Sequence, residues 1–225
     1  MSSHYETVPS AALYPEAFHV AAPAVPVGRE VWPRQPGVFI RLGGTGAAAA
    51  PAAGPTGREL VAGQFGLVPR WVKSASDAKL RSTRLVNARA DTVTTSANFR
   101  EAWLGGQRCI VPMMAFLEDD WRSGKAVPTR ITRVDGKPMG VAGLWERWSG
   151  AGGEVIVSYT LLTVNANSHA LLHRYQQPGS DKSMPVILNE GAFDAWLGAP
   201  VEKAREFMRA YPASGLTANP VEKKR

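Results

Sequence analysis

The sequence lacks most features that place a chain outside the cell or in a membrane. It has a single cysteine, Cys109, among 225 residues, so no internal disulfide can form and a reducing compartment is expected. No apolar run approaches the roughly 20 residues that a membrane-spanning helix needs. The first residues also lack the basic and apolar regions of a signal peptide. We therefore predict a cytoplasmic protein with no membrane partner.

Metal-binding residues are equally scarce. His169 and His173 stand four residues apart, a spacing that can hold a metal ion on one face of a helix. No third ligand of matching spacing accompanies them, and Cys109 lies in an apolar run typical of a small buried side chain. The sequence predicts neither a metal site nor another cofactor.

Positive charge, in contrast, is in excess. Lys and Arg number 26 against 19 Asp and Glu, a formal charge of +7, which favours anionic partners although many basic proteins bind none. Trp71 follows Arg70 and precedes several further cations. An aromatic ring among cations suits single-stranded nucleic acid, because bases stack on the ring while cations meet phosphates. The alternative is a core Trp beside a solvated basic loop.

Hydrophobic residues make up 44% of the chain, enough for a core. Short predicted strands with hairpin-length connections argue against a parallel α/β sheet. The strongest hairpin signal is Asp135-Gly136, between predicted strands at 129–134 and 139–145. Residues 43–57 are only Gly, Ala, Pro and Thr, which predicts a flexible surface loop. From about residue 213 we expect a disordered tail.

Polar residues interrupt the short apolar runs between residues 65 and 121, and three of them are candidates for a site, namely Asn87, Arg89 and Glu118. Asn offers a donor and an acceptor, Arg a rigid fork of donors, and Glu a carboxylate whose pKa burial can change. Together they suit a site that holds an anionic substrate and moves a proton near it. The alternative is a turn Asn with two surface charges.

Several blocks of the sequence match one family in that family's order, at 65–71, 87–93, 108–112 with 116–118, 142–148, 163–167 and 184–188. On these blocks the chain resembles the SOS-response-associated peptidase (SRAP) family, which protects abasic sites in single-stranded DNA. The resemblance implies an α+β fold of curved, partly barrel-like antiparallel sheets with flanking helices. It also implies one SRAP-like domain over residues 1–225, and we expect a monomer.

The same resemblance implies catalytic residues. The family exposes a cysteine directly after the initiator Met, and this chain has Ser2 there. Asn87 and Glu118 carry over to the family's Asn and catalytic Glu. Two positions of this chain are candidates for the family's His. His173 is the nearest histidine, whereas alignment on the Pro178-Gly179 loop puts Gln176 in that position.

The implied DNA contacts are Arg89, Trp71, Arg70 and Pro69. An α-amine with a pKa of about 8 is partly unprotonated at neutral pH. The Ser2 amine could therefore form an imine with the ring-opened abasic sugar, helped by acid–base catalysis from Glu118. A Ser hydroxyl closes only an oxazolidine, which is less durable than the thiazolidine that a thiol gives.

The sequence therefore predicts abasic-site recognition in single-stranded DNA during the SOS response, with a reversible adduct or strand scission in place of a lasting DNA–protein crosslink. One alternative is a non-catalytic relative that binds DNA or a protein partner. Another is an N-terminal-serine peptidase, a hydrolase whose nucleophile is Ser2.

Overall fold

The computed structural model describes residues 3–44 and 57–222. The strands in these ranges are β1 (Tyr5–Glu6), β2 (Glu30–Val31), β3 (Pro36–Leu42), β4 (Arg58–Phe65), β5 (Asn87–Arg89), β6 (Arg108–Met113), β7 (Ala115–Asp120), β8 (Val127–Arg133), β9 (Met139–Ser149), β10 (Val155–Asn165), β11 (Ser183–Pro185), β12 (Ile187–Leu188) and β13 (Leu216–Pro220). The α-helices are α1 (Leu13–Phe18), α2 (Ala75–Ser82), α3 (Arg100–Leu104), α4 (Phe193–Gly198) and α5 (Val201–Ala204). Short 3₁₀ turns lie at Leu172–Arg174, Glu190–Ala192, Arg205–Phe207 and Ala213–Gly215.

Five strands close into a barrel. Strand β10 pairs with β4, β4 with β3, β3 with β6, β6 with β9, and β9 returns to β10. All of these pairings are antiparallel except β4–β10, and β5 adds a second parallel pairing at β10. The α+β fold with curved, partly barrel-like antiparallel sheets is therefore confirmed.

The barrel strands are buried on both faces, and their side chains alternate between two clusters. In β9, Val141 and Trp145 join the aromatic cluster that contains Tyr159. Ala142 and Leu144 point the other way and pack in the cluster that contains residues of the helices. This alternation follows from the two-residue period of a strand. It explains why β9 is an almost uninterrupted apolar run.

A second sheet, in the order β13–β8–β7–β1–β2, holds the start of the chain. Tyr5 lies opposite Phe116 and Val31, so β1 is the middle strand between β7 and β2. The Arg130 guanidinium holds the Glu6 carboxylate with two bonds of 2.6 Å. The hydroxyls of Tyr5 and Tyr159 are hydrogen-bonded to each other and fully buried, which joins this sheet to the barrel.

The hydroxyl pair gives a first prediction. Tyr5→Phe leaves the buried Tyr159 hydroxyl without its partner and should lower the free energy of unfolding by about 1–3 kcal/mol. Tyr159→Phe should cost a similar amount. The double variant should be at least as stable as the better single variant, because two apolar rings leave no unsatisfied hydroxyl. Urea unfolding of the four proteins measures this cycle, and additive losses in the double variant would contradict it.

Two predictions about the chain's connections are wrong. Asp135-Gly136 does form a turn, with Gly136 at φ 73°, but the strands it joins are not paired. Strand β8 pairs with β7 and β13, whereas β9 pairs with β6, β10 and β12, so the chain changes sheets at this turn. The tail predicted to be disordered from about residue 213 instead forms β13 as far as Pro220, because β8 has a free edge for it to pair with.

The Gly/Ala/Pro segment predicted as a flexible loop at 43–57 lies between β3 and β4. Gly43 donates its amide to the Gly57 carbonyl at 2.7 Å, and residues 45–56 lie outside the described ranges. Cys109 is fully buried, as predicted, and burial raises the pKa of its thiol. In the described residues no helix has both the length and the apolar character needed to cross a membrane.

Candidate functional site

Strand β5 sets the direction of two predicted site residues. It pairs in parallel with β10, with Asn87 opposite Leu161 and Arg89 opposite Thr163. Ala88, between them, is fully buried in the cluster beneath the helices. Because neighbouring side chains of a strand point to opposite faces, Asn87 and Arg89 share the other face. Asn87 is nearly buried, whereas the Arg89 side chain is about half exposed.

Arg89 opens onto a cavity of about 700 Å³. Its walls come from the ends of β5 and β10, from the segment 176–183, and from Arg205 and Met208 after α5. The charged residues of the lining are three cations and two carboxylates, namely Arg89, Lys182, Arg205, Asp91 and Asp181. The cavity therefore carries a small excess of positive charge, which suits a phosphate group.

The Arg89 guanidinium is already held by a carboxylate. Its Nε donates to Asp91 Oδ1 at 3.1 Å and its Nη2 to Asp91 Oδ2 at 2.7 Å. This pairing lowers the pKa of the Asp91 carboxyl and raises that of Arg89. Both side chains are more than half exposed, so the pair contributes little to stability. An incoming phosphate can replace Asp91 on the same fork of donors.

The segment 176–183 supplies Gln176 and Lys182. Gln176 is buried and has a positive φ of 70°. Its side-chain amide donates to the Ser183 carbonyl at 2.5 Å and accepts from the Ser183 amide at 3.3 Å. The Lys182 Nζ donates to the carbonyl oxygens of Gln176 and Gln177. Of the two residues considered for the family's His, Gln176 lines the cavity, whereas the exposed His173 does not.

Glu118 lies in β7 and is only 4% exposed. In the pairing of β1 with β7, Tyr5 faces Phe116, and the Leu117 amide donates to the His4 carbonyl at 3.3 Å. Continued by two residues, this register sets Ser3 opposite Glu118. Ser2 lies outside the described residues. The described start of the chain therefore leads directly to Glu118.

Strand β7 also touches the cavity wall. The Asp119 carbonyl accepts from the Gln176 amide at 2.8 Å, and Asp120 bridges to Tyr175. Glu118 is thus one residue from a direct contact with the segment that carries Gln176. Neither Asn87 nor Glu118 lines the cavity itself: β5 contributes Arg89 to the lining, and β7 is hydrogen-bonded to the backbone of Gln176 in the cavity wall.

The other predicted DNA contacts lie elsewhere. Trp71 does not line the cavity. Its indole nitrogen donates to the Ala97 carbonyl at 3.0 Å, and Arg81 covers its ring. Arg70 is bonded internally, donating to the buried Glu146 carboxylate at 2.6 Å and to Gln107 at 2.9 Å. Pro69 is buried. Their part in DNA binding stays a prediction.

The two closely spaced histidines are bonded to backbone carbonyls. His169 Nε2 lies 2.7 Å from the Tyr211 oxygen, and His173 Nδ1 lies 2.7 Å from the His169 oxygen. Within the ranges 3–44 and 57–222, no three His, Cys, Asp or Glu side chains are grouped so as to hold a metal ion.

Two cations of the cavity were missed by sequence reasoning. Lys182 stands two residues before the block at 184–188, so its place near a matching block was an available signal. Arg205 lies in a helical stretch of alternating charges, where nothing separates it from a solvated surface residue. It reaches the site only because the chain after α5 packs beside β5, where its Nη2 donates to Thr94 Oγ1 at 3.2 Å.

Comparison with known proteins identifies the protein family to which the chain belongs. The model of the SOS response associated peptidase (SRAP) family matches residues 2–224, so the chain belongs to that family. A crystal structure of a Bordetella bronchiseptica protein superposes with a TM-score of 0.88 at 40% identity, covering 98% of this chain and 100% of that one. A Bacteroides thetaiotaomicron structure has a TM-score of 0.78 at 21% identity, covering 98% and 92%, and supports the fold alone.

Two of the relatives are named abasic site processing proteins. Abasic site processing protein YoaM of Bacillus subtilis (strain 168) is 30% identical over 172 residues, covering 70% of this chain and 69% of that protein. Abasic site processing protein HMCES of Gallus gallus is 27% identical over 185 residues, covering 73% of this chain and 53% of that protein. The chain therefore spans between about half and two thirds of the length of these relatives.

Proposed function

We propose that this protein recognises abasic sites in single-stranded DNA in the response to DNA damage, and that the Ser2 α-amine forms a reversible imine with the opened sugar. One observation carries the proposal: the start of the chain runs along β7 to Glu118, next to a cationic cavity that contains Arg89. The printed names of YoaM and HMCES, both abasic site processing proteins, support the choice of substrate.

Binding begins with a phosphate at Arg89. A phosphate beside the abasic sugar takes the place of Asp91 on the guanidinium, and Lys182 and Arg205 add positive charge around it. The Arg89 pairing with Asp91 holds the fork of donors in one orientation before DNA arrives. In this proposal, binding exchanges the Asp91 carboxylate for a DNA phosphate at an Arg89 guanidinium that is already oriented.

The chemical step uses the amine and one carboxyl group. The unprotonated α-amine attacks the aldehyde carbon, a carbon–nitrogen bond forms as the carbonyl π bond breaks, and the oxygen becomes a hydroxyl by taking the first of the two protons that the nitrogen loses. Glu118 carries the proton from the nitrogen to that hydroxyl, which leaves as water and gives the imine. Addition of water in the reverse direction restores the amine and the aldehyde. Asn87 holds the sugar through its amide.

Reductive trapping tests this proposal. Borohydride added to the protein with abasic single-stranded DNA should reduce the imine to a stable secondary amine, seen as a shifted band on a denaturing gel. The same mixture without borohydride should lose the band on heating. A mass spectrum of the intact protein must show that Met1 is removed, because a retained Met1 blocks the Ser2 amine. Absence of a trapped species from a protein with a free Ser2 would contradict the imine.

A non-catalytic DNA-binding protein is the second candidate, and Gln176 favours it. An amide transfers no proton at neutral pH, and both ends of the Gln176 amide are bonded to Ser183. If Gln176 takes the position of the family's His, the chain with its Ser2 has neither the thiol nor the imidazole of the family pattern. If the protein only binds DNA, abasic DNA should bind tightly and borohydride should trap no species.

Arg89→Ala is expected to weaken binding of single-stranded DNA roughly fivefold at 0.1 M salt and to reduce the salt slope by about 0.7, as the loss of one phosphate contact requires. Fluorescence anisotropy over a series of salt concentrations measures both quantities. Unchanged affinity and slope would remove Arg89 from the site.

Asp91→Asn is the matched control for Arg89→Ala. It frees the guanidinium from its carboxylate and removes one negative charge from the cavity, so binding should tighten and not weaken. Weaker binding by both variants would mean that the pair acts structurally and that Arg89 meets no phosphate.

The remaining predictions are part of the same proposal. We propose one domain over residues 1–225, acting as a monomer in the cytoplasm. A peptidase that uses the Ser2 hydroxyl is an alternative use of the same terminus. Cleavage of a peptide substrate that is lost in a Ser2→Ala variant would favour it.

A further inference from the structure

The residues that lead to the Ser2 amine are held by two stacked rings on the outer face of the β1–β2 pair. Tyr5 lies opposite Val31, so the same register continued by one residue sets His4 opposite Trp32. The rings of His4 and Trp32 are stacked, with centroids 3.6 Å apart and planes 9° apart. Tyr5 and Val31 are buried in the aromatic cluster, and the stacked rings therefore lie on the other face. We call this contact the His4–Trp32 stack.

Trp32 is the fixed half of the stack. Its amide donates to Gln35 Oε1 at 3.0 Å, and its carbonyl accepts from the Gln35 amide at 3.0 Å. In the same turn Arg34 has a positive φ of 69° and donates its amide to the Phe65 carbonyl, at the end of β4, at 2.6 Å. The indole nitrogen donates to Glu30 at 3.3 Å. The turn is thus fastened to the barrel, and the Trp32 ring keeps one orientation although it is 43% exposed.

His4 is held on both sides of the strand. Its carbonyl accepts from the Leu117 amide of β7 at 3.3 Å, and its ring rests on Trp32, which follows β2. Its Nδ1 lies 3.0 Å from the Ser3 hydroxyl oxygen. Chain ends that are not tied down fray. The stack therefore determines how firmly Ser3, and with it the amine one residue earlier, is kept beside β7 and Glu118.

The imidazole of His4 is neutral at pH 7. Burial is the largest influence on the ring and lowers the pKa of His4 from its ordinary value of about 6.5. Nearby carboxylates act in the opposite direction with a smaller effect, namely those of Glu30, Asp119 and Glu6. An uncharged ring secures the chain by stacking and adds no second positive charge beside the α-amine. Phenylalanine can therefore reproduce the stack at this position.

We propose that His4 is a positioning residue for the reaction at Ser2, and that the His4–Trp32 stack keeps the α-amine at Glu118. The proposal rests on the proposed function, because it concerns the amine that forms the imine. Orientation of a nucleophile changes the rate of a bound reaction steeply, because the reacting atoms must be aligned before the bond can form. Loss of the stack should therefore slow adduct formation and leave DNA affinity as it is.

The test compares variants that remove the stack with one that keeps it. His4→Ala and Trp32→Leu remove it, and His4→Phe is the matched control that keeps two stacked rings without the imidazole. Single-turnover borohydride trapping over a range of concentrations of abasic single-stranded DNA gives the maximal rate and the half-saturating concentration. Thermal unfolding shows that each variant is folded, and a mass spectrum shows that its Ser2 is free.

His4→Ala and Trp32→Leu should each lower the maximal rate roughly fivefold and change the half-saturating concentration by less than about twofold, because an aromatic pair shifts a local equilibrium by a factor of that order. The double variant should be no slower than the slower single variant, since both substitutions remove the same contact. His4→Phe should react at the wild-type rate.

Unchanged maximal rates in both stack-removing variants, beside a wild type that is trapped, would overturn the positioning role and leave the proposed function standing. A higher half-saturating concentration with an unchanged maximal rate would also overturn it, because Trp32 would then contact DNA. His4→Phe as slow as His4→Ala would assign the effect to the imidazole and not to the stack. A wild type with a free Ser2 that is not trapped would overturn the proposed function and this inference together.

Discussion

Replacing Ser2 by cysteine is expected to turn a transient adduct with abasic single-stranded DNA into one that survives heating. Both residues leave the same α-amine, so the imine should form in both proteins. The difference lies in the next step, where the cysteine thiol adds to the imine carbon and closes a thiazolidine. A hydroxyl closes an oxazolidine, which reopens readily to the imine. Water then hydrolyses the imine. Denaturing gels after heating, without reductant, measure the surviving fraction.

Ser3→Cys is the matched control. It introduces the same thiol one residue later, where a five-membered ring with the α-amine cannot close. Its adduct should therefore remain as transient as that of the unmodified chain. A durable crosslink from the Ser2 protein itself would contradict the argument. A Ser2→Cys protein with a free terminus that stays inert on abasic DNA would favour the non-catalytic candidate.

The sequence was sufficient to argue against a parallel α/β sheet, because short strands and turn residues are local signals, whereas the α+β class came from the family resemblance. It was not sufficient for strand partners. Asp135-Gly136 forces the chain to turn, yet β8 and β9 then join different sheets. Strand β8 pairs with β7, which directly precedes it in the chain, and with the terminal β13, which is distant in sequence. A dipeptide signal specifies the turn but not the partner.

The terminal strand shows the same limit. Residues 216–220 contain one large apolar side chain, Leu216, followed by Thr, Ala, Asn and Pro. Nothing in that composition distinguishes a strand from a frayed end. The segment becomes a strand because β8 has a free edge with which it can pair. Leu216 is then buried in the cluster that contains Ile131.

The candidate site was predictable in part. The spacing of Asn87 and Arg89 puts them on one face of any strand, and β5 is such a strand. The internal partner of Arg70 was not predictable, because Glu146 is 76 residues away. A buried carboxylate needs a cation or several donors, and it acquires Arg70 and Gln107. An exposed Arg in a cationic stretch can thus be occupied by the protein itself.

Glu118 is the residue whose loss should slow the chemistry most. Carbon–nitrogen bond formation and loss of water each move a proton, and the amine cannot manage both without a nearby acid and base. Residue 176 is glutamine, whose amide acts neither as an acid nor as a base near neutral pH. The carboxylates of Asp91 and Asp181 face the cavity, but Asp91 is held by Arg89 and Asp181 accepts a bond of 3.3 Å from the Asn167 side-chain amide. The proposed mechanism assigns both transfers to Glu118, which is buried in β7 next to the start of the chain.

Glu118→Gln should lower the rate of imine formation about 10²–10⁴-fold, the usual contribution of general acid–base catalysis. The side chain keeps its shape, and DNA affinity should hold or rise slightly because a negative charge is removed. Single-turnover borohydride trapping over a range of pH gives the rate, and anisotropy gives the affinity. Asp119→Asn removes the same charge from the exposed next residue and should react at the wild-type rate. A Glu118→Gln protein that is folded, binds DNA and is trapped as fast as the wild type would show that the proton moves by another route.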